Sequence, residues 1–460
     1  MPDAASAAPT SIDRDRLATL FAAERARFAE QHPASRALHE QAGGALLSGV
    51  PMNWMTRWPG DFPLFARAAQ GSHVTDVDGR DYTDFCLGDT GAMTGHAPAP
   101  TLAAIAEQSA RGLTLMLPTE QAAPAGEELA RRFGLPLWQF TLSASDANRF
   151  VLRLARQLTG RPKVLVFNHC YHGSVDETVA RLGDDGLTVE PRHGNIGPAV
   201  DPAQTTRVVE FNDLAALERE LAAGDVAAVL AEPALTNIGI VLPDPGYHDE
   251  LRRLTRAHGT LLVIDETHTL CCGPGGATAA WGLEPDVVTI GKPIAGGIPT
   301  GAYGLTAAVA ERVLAGTVWD AADVGGVGGT LAGNPLQLAA VRATLEQVLT
   351  DDAYAHMVAM AERFTAGVQE TIDSAGLDWH VTRLGCRVEY MFGARPARSG
   401  GEAAAAFDAE LDAYLHLHML NRDVLMTPFH MMALMCPATS VADVDRHTAA
   451  FAEAVAALTG

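Results

Sequence analysis

Lysine is nearly absent from this chain: of 33 basic side chains only Lys163 and Lys292 are lysines, and the rest are arginines. Positive charge is itself in deficit, because 55 acidic residues leave a formal net charge of −22. Such a surplus opposes binding to phosphate backbones and to anionic membrane surfaces, so neither nucleic acid nor a membrane is expected as a partner. Cysteine is sparse as well. The six at positions 86, 170, 271, 272, 386 and 436 show no paired spacing, and the adjacent Cys271 and Cys272 are poorly placed to bridge each other. That usage suits a reducing cytoplasm. Long apolar runs are missing too: DVAAVLAEPALTNIGIVLP is broken by Glu232, Pro233 and Asn237 and fails as a membrane span. The opening MPDAASAAPTSIDRDRLATLF has acidic residues where a leader would carry positive charge, so no secretion signal is expected.

What is present is a globular mixture, 48% hydrophobic and 19% charged over 460 residues, enough to bury a large core. Residues 1–70 read as an N-terminal arm, with one helical stretch, DRDRLATLFAAERARFAEQ, before a loop rich in Trp, Met and Pro, PMNWMTRWPGDFPLF. From 71 to 330 a large domain is expected. Within it the apolar runs LWQFTLS, KVLVFN, TRVVEF, VAAVLAEP, TLLVIDE, DVVTIGK and TGAYGLT alternate with helical stretches. Such alternation predicts an α/β fold, a mostly parallel seven-stranded sheet sandwiched by helices. From 331 to 460 the pattern changes to long helices around the strand-like WHVTRLGCRVEYMF, a smaller α+β domain packed with the arm. Ser440 followed by Asp443 marks a capping box at the start of the last helix, and ARPARSGGEAAAAF reads as a loop.

In open α/β sheets ligands bind outside the carboxyl ends of the strands, so the polar residues that follow each apolar run are the informative ones. Asp265 and Glu266 end TLLVIDE, where a buried carboxylate needs a partner: a structural salt bridge, or a cation such as a protonated heterocycle. Lys292 ends DVVTIGK 27 positions after Asp265, about one βαβ crossover away. In an arginine-rich chain a lysine there points to chemistry that guanidinium cannot perform, since an amine can lose its proton and attack a carbonyl. The plainer reading is a lysine that neutralises Asp265. Lys163, after Arg161 and Pro162, reads as an ordinary surface charge.

TLSASDANRFVLRLARQL turns at small residues into an amphipathic helix, whose N–H groups behind Ala144, Ser145 and Asp146 suit a phosphate, unless the serine merely caps the helix. FNHCYHG presents His169, Tyr171 and His172, and an aromatic ring there can cover a planar ligand or simply pack. GGVGGTLAGNP has glycines like those of a dinucleotide fingerprint but lacks the preceding strand and the later acidic residue. His268, Cys271 and Cys272 match no closed zinc site, so no metal is expected. A phosphate, a planar ring, a basic ring nitrogen and a carbonyl together describe pyridoxal 5′-phosphate. Asp265 would then keep the pyridine nitrogen protonated, and Lys292 would form the Schiff base and shuttle protons.

The ordered set DVDGRDYTDF, GAMTGHAPAP, SASDA, YHG, AEPALTNIGIVLP, VIDE, TIGKPIAGGIPTGAYG, GGTLAGNP and LHLHMLNRDVLMTPF resembles the class III, fold type I, pyridoxal-phosphate aminotransferases, close to the glutamate-1-semialdehyde aminomutase branch. The resemblance runs from about residue 35 to the C-terminus. It implies that Lys292 carries the cofactor, Asp265 pairs with the pyridinium, Tyr171 stacks on the ring, Asn237 lies near the phenolic oxygen, and Ala144 and Ser145 bind the phosphate. It implies further that Thr330 reaches the cofactor of a neighbouring subunit in a homodimer with shared active sites, and that Glu232 supports the site from behind. Two departures stand out. SASDA replaces the family's S-G-T/S-E-A, putting Ala144 where positive φ would be costly, and DET replaces D-E-V, followed by an atypical His268.

The activity expected is a ping-pong aminotransferase moving an amino group from an amino acid or amine donor to a keto acid or aldehyde acceptor. The alternatives are an intramolecular aminomutase or epimerase on the same scaffold and, more remotely, a non-catalytic pyridoxal-phosphate-binding protein. The departures argue for a substrate other than glutamate semialdehyde. Arg57, near Trp54 and Trp58, is the first candidate to clamp a substrate carboxylate, with Arg387, Arg395 and Arg398 competing; Trp54 and His268 are candidate substrate contacts.

Overall fold

The computed structural model describes residues 12–316 and 319–460, so the stretch 1–11 read for a leader lies outside the described residues. Among the described residues no helix is long and apolar enough to cross a membrane. The described residues divide into two compact units, one within 90–355 and 397–405, the other within 12–89, 356–396 and 406–460.

The larger unit is built on a seven-stranded sheet. Its strands in chain order are β1 (Leu137–Thr141), β2 (Lys163–Phe167), β3 (Thr206–Val209), β4 (Val226–Ala231), β5 (Leu261–Asp265), β6 (Val287–Ile290) and β7 (Gly301–Leu305). These are the seven apolar runs of the sequence. Across the sheet they lie in the order β1-β7-β6-β5-β4-β2-β3. Neighbours from β6 through to β3 pair in parallel, and β7 alone runs antiparallel to both of its neighbours. The reversal follows from the short connection between Ile290 and Gly301, since a parallel return needs a crossover of a dozen residues or more. β4, β5 and β6 are buried at every residue, as strands covered on both faces must be. Each fully buried Val, Leu or Ile there contributes about 1.5–3 kcal/mol.

Helix Ala144–Thr159 follows β1 and lays Ala147, Val151, Leu152 and Ala155 on the sheet side, where they are buried. Gly160 ends it in the left-handed conformation. Helix Pro335–Gln347 packs on helices Ala99–Arg111 and Ala122–Phe133 and therefore belongs to this unit, although the sequence change at residue 331 suggested a boundary there. The stretch read as a loop near residue 400 contains a short helix, Gly400–Ala405.

The smaller unit joins chain segments far apart in sequence. Strands Ala66–Gln70, His73–Asp76 and Asp81–Asp84 form an antiparallel meander whose last strand pairs with Val424–Leu425. That pairing draws residues 71–89 into this unit rather than into the larger one, where sequence pattern had placed them. Helix Arg14–Gln31 begins at Asp13, whose carboxylate accepts from the N–H groups of Asp15 and Arg16. WHVTRLGCRVEYMF is a hairpin, His380–Leu384 with Arg387–Met391, and the last helix, Val441–Thr459, opens on the capping box of Ser440 and Asp443. Arg387 is fully buried and its guanidinium donates to Glu389 Oε1 at 2.6 and 3.0 Å, with His430 Nδ1 3.1 Å from the same oxygen. Burial alone would raise the Glu389 carboxyl, but the charges of His430 and Arg387 hold it below the usual range. Arg387 is thus half of an internal ion pair, which removes it as a candidate for a substrate carboxylate.

Candidate active site

Six strand ends lie along one edge of the large sheet. β2 to β6 are parallel and finish there, and β1 does too, because it is antiparallel to the one reversed strand. The residues that follow five of them are the polar ones singled out above: Ser143 to Ser145 after β1, Asn168 to His172 after β2, Glu232 after β4, Glu266 to His268 after β5 and Lys292 after β6.

Asp265 is 3% exposed and is held from three directions. His172 Nδ1 lies 2.8 Å from Oδ2, the Asn148 side-chain amide donates to the same oxygen at 2.8 Å, and the Thr267 N–H donates to Oδ1 at 3.0 Å. Thr289 on β6 fixes the amide in turn, its hydroxyl donating to Asn148 Oδ1 at 2.6 Å. Burial would push the Asp265 carboxyl up, but the His172 hydrogen bond and charge, with Thr267 and Asn148 behind them, hold it below the usual range. His172 sits well above the ordinary imidazole value: burial opposes its charge, and the Cys170 sulfur and the Asp265 carboxylate outweigh burial. The pair is an ionised carboxylate beside a cationic ring. His172 was visible in the sequence only as a member of YHG, and Asn148 and Thr289 were not read as site residues. A signal for Asn148 existed, since it is the one amide on the buried stripe of its helix.

Glu232 ties two loops together. It accepts from the backbone N–H of Tyr171 at 3.2 Å and from the N–H and hydroxyl of Thr236 at 3.1 and 2.5 Å. Burial raises its carboxyl above the usual range. Tyr171 is 45% exposed on this chain, and Asn237 is half-buried in the turn that follows Thr236. Glu266 is consumed locally, accepting from the Thr269 hydroxyl at 2.5 Å and from the N–H groups of Ala277 and Thr278.

The SASDA turn differs from the expectation drawn from its sequence. Ala144 has no positive φ; it is the first residue of the helix, with Ser143 as the cap accepting from the Asp146 N–H at 3.1 Å. Asp146 is thereby used, and the N–H groups of Ala144 and Ser145 have no acceptor within the helix. The turn is packed tightly by glycines: a Cβ on Gly173 would lie 1.8 Å from Ser145 Oγ, and one on Gly291 would lie 2.9 Å from Ala144 Cβ. Beside it Thr300 Oγ1 is buried without a hydrogen-bond partner, as is Thr267 Oγ1 next to Asp265. Buried hydroxyls left this way at a strand-end cradle are what a polar ligand would satisfy.

Lys292 adopts φ 50°, a left-handed backbone unusual for a residue with a side chain, and its Nζ lies 2.9 Å from His268 Nε2. The other ring nitrogen of His268 is 3.1 Å from Thr90 Oγ1. Both ring nitrogens of His268 therefore face protein side chains, Thr90 and Lys292. Thr330 is exposed on this chain. Arg57 and Trp54 belong to the smaller unit, where the Arg57 guanidinium lies 5.4 Å from the Phe429 ring centre and Trp54 meets the same ring edge-on at 6.3 Å. Arg398 pairs with Asp244.

A sequence model of the family described as aminotransferase class-III matches residues 54–380. The chain belongs to that family. This member of the family is 35% identical to a glutamate-1-semialdehyde 2,1-aminomutase of Sorangium cellulosum, across 93% of this chain and 98% of that one. A solved glutamate-1-semialdehyde-aminomutase from Pseudomonas aeruginosa PAO1 is 52% identical, with 97% of this chain and 99% of that chain covered and a TM-score of 0.94. A lysine-to-alanine variant of that protein has been solved in complex with PMP. An omega-transaminase from Sphaerobacter thermophilus is 28% identical, covering 94% of this chain and 100% of that one, with a TM-score of 0.83. The chain is accordingly a pyridoxal-5′-phosphate-dependent enzyme of fold type I, similar to the glutamate-1-semialdehyde aminomutase branch.

Proposed function

We propose that the enzyme catalyses an intramolecular amino transfer of the glutamate-1-semialdehyde 2,1-aminomutase kind, in which an amino group leaves one carbon of the substrate and is placed on its neighbour. The observation that carries this reading is the likeness, over nearly the whole chain, to proteins that bear that name. It favours the mutase over the ping-pong aminotransferase that the motifs alone suggested.

The residues fit the cofactor. When bound, pyridoxal phosphate supplies an electron-accepting ring that stabilises charge developing on a substrate carbon. Asp265, ionised and fixed by His172 and Asn148, would hold a proton on the ring nitrogen. Lys292 Nζ would hold the cofactor through its aldehyde carbon and would move protons at the substrate carbons. The N–H groups of Ala144 and Ser145 would bind the phosphate. Tyr171, anchored through its backbone to Glu232, would cover one face of the ring, with Asn237 near its phenolic oxygen. Arg57 and Trp54 stay as candidates for holding the substrate, because an exposed guanidinium braced over a ring can still fork onto a carboxylate.

Thr330 would serve the cofactor of a second copy, which makes the working unit a homodimer. Its exposure, on a stretch that also leaves Val324 85% exposed, supports that reading. Sedimentation of the loaded enzyme should give a dimer mass, and a monomer that retains full turnover would remove this role for Thr330.

The decisive assay is a turnover with glutamate-1-semialdehyde and no second substrate. A mutase returns an isomer of its substrate in many cycles, with the cofactor in the same form before and after. The ping-pong reading is favoured by Thr267 and His268 in place of the usual residues after the Asp-Glu pair. It expects release of a carbonyl product and one turnover that strands the amino form of the cofactor.

A further inference from the structure

We propose that His268 is a proton relay for Lys292, taking the proton that leaves Nζ and returning it, with Thr90 holding the ring in the tautomer that permits this. The inference rests on the reading of Lys292 as the residue that binds the cofactor.

Three side chains form a line in the larger unit: Thr90 Oγ1, 3.1 Å, His268 Nδ1; His268 Nε2, 2.9 Å, Lys292 Nζ. They come from positions 90, 268 and 292, and Thr90 and His268 are buried. Both ends of the line carry backbone that side chains seldom adopt. Thr90 has φ 79° and Lys292 φ 50°, and for a β-branched residue such a φ persists only where surrounding structure imposes it. The strain is placed at the two residues whose side-chain atoms flank the imidazole.

The proton balance is simple. An ammonium at Nζ donates to an unprotonated Nε2 only if the ring carries its hydrogen on Nδ1, and that N–H then donates to Thr90 Oγ1. Transfer of one proton from Nζ to Nε2 leaves a free amine and an imidazolium whose second N–H still has its acceptor. No further donor is needed, and the reverse transfer restores the start. Without the imidazole each proton that leaves Nζ must pass to solvent, which slows its loss.

The other titratable groups on the segments that carry the line are engaged elsewhere or lie beside it in the chain. Asp265 is held by His172 and Asn148, and Glu266 by Thr269 and two backbone N–H groups. Cys271 and Cys272 lie on the turn that follows His268, and Asp89 precedes Thr90.

The test is the rate at which the cofactor-stripped full chain takes up pyridoxal phosphate, followed by visible absorption over a pH series, for the wild type, His268→Gln and Thr90→Val. Glutamine keeps a hydrogen-bonding group near Nζ but cannot store a proton. His268→Gln should lower the uptake profile near neutrality about tenfold, and imidazole added to the buffer should restore part of that rate. Thr90→Val should lower it by less. Superimposable profiles for wild type and His268→Gln would overturn the relay even if turnover fell, because that pattern marks a packing role. Should His268→Gln fail to fold, an unchanged Thr90→Val profile overturns it instead. Lys292→Ala separates the two readings: if it still develops the lysine-bound colour, the assignment of Lys292 fails, whereas loss of colour there with no change in His268→Gln defeats the relay alone.

Discussion

Lys292→Ala is expected to lower turnover by on the order of 10⁴-fold or more, because one substitution removes both the covalent anchor and the proton carrier. It should also abolish the visible absorption of the covalently held cofactor. The loss should be nearly complete, since the only other lysine cannot stand in. Lys163 is the first residue of β2, whereas Lys292 follows the last residue of β6, and the two strands run parallel, so their amines lie at opposite edges of the sheet. Lys163 Nζ is moreover occupied, donating to the Ala203 carbonyl at 2.8 Å and lying 3.9 Å from Asp225. Lys292→Arg should do no better than alanine, since guanidinium keeps its proton throughout the accessible pH range. A small primary amine in the buffer should recover part of the lost rate. Colour and turnover surviving in Lys292→Ala would sink the assignment.

The strands of the large unit were legible in the sequence because strands buried on both faces must be continuously apolar, and a run such as VAAVLA has few other uses. For the same reason the polar residue ending each run was conspicuous, and Asp265 and Lys292 emerged from that contrast alone. Less legible was anything that depends on a partner distant in sequence. Thr90 meets His268 across 178 positions and nothing local in GDTGAMTG announces it. The meander of residues 66–84 closes on Val424–Leu425, a pairing that no local pattern encodes, so the unit boundary was placed too early. Arg387 illustrates the opposite failure: an arginine in a strand suggested a ligand, but charge in sequence does not reveal that Glu389 on the same strand already neutralises it. The Ala144 departure also misled, because the worry about positive φ assumed a glycine turn where the chain simply begins a helix.

Asp265→Asn is the second large effect, a fall in turnover of about 10³-fold, the scale on which a preorganised charge stabilises a developing one. Cofactor uptake should survive, because the carboxamide keeps the shape and Lys292 is untouched. The change should also leave a mark on stability whose sign can be worked out. The Asp265 carboxyl lies below its ordinary value in the folded chain, so its contribution is complete above the unfolded range, roughly pH 4, and is lost as pH falls through the folded value. His172 lies well above its ordinary value, so its contribution is complete below the unfolded range, roughly pH 6.5, and fades as pH rises through the folded value. The two overlap between about pH 4 and 6.5. The gap in denaturant midpoint between wild type and Asp265→Asn should therefore be widest in that window and narrow on either side. A gap that stays constant from acid to neutral pH would mean that His172 and Asp265 do not titrate as an ion pair. The carboxylate would then need another cation to keep it charged beside the ring nitrogen.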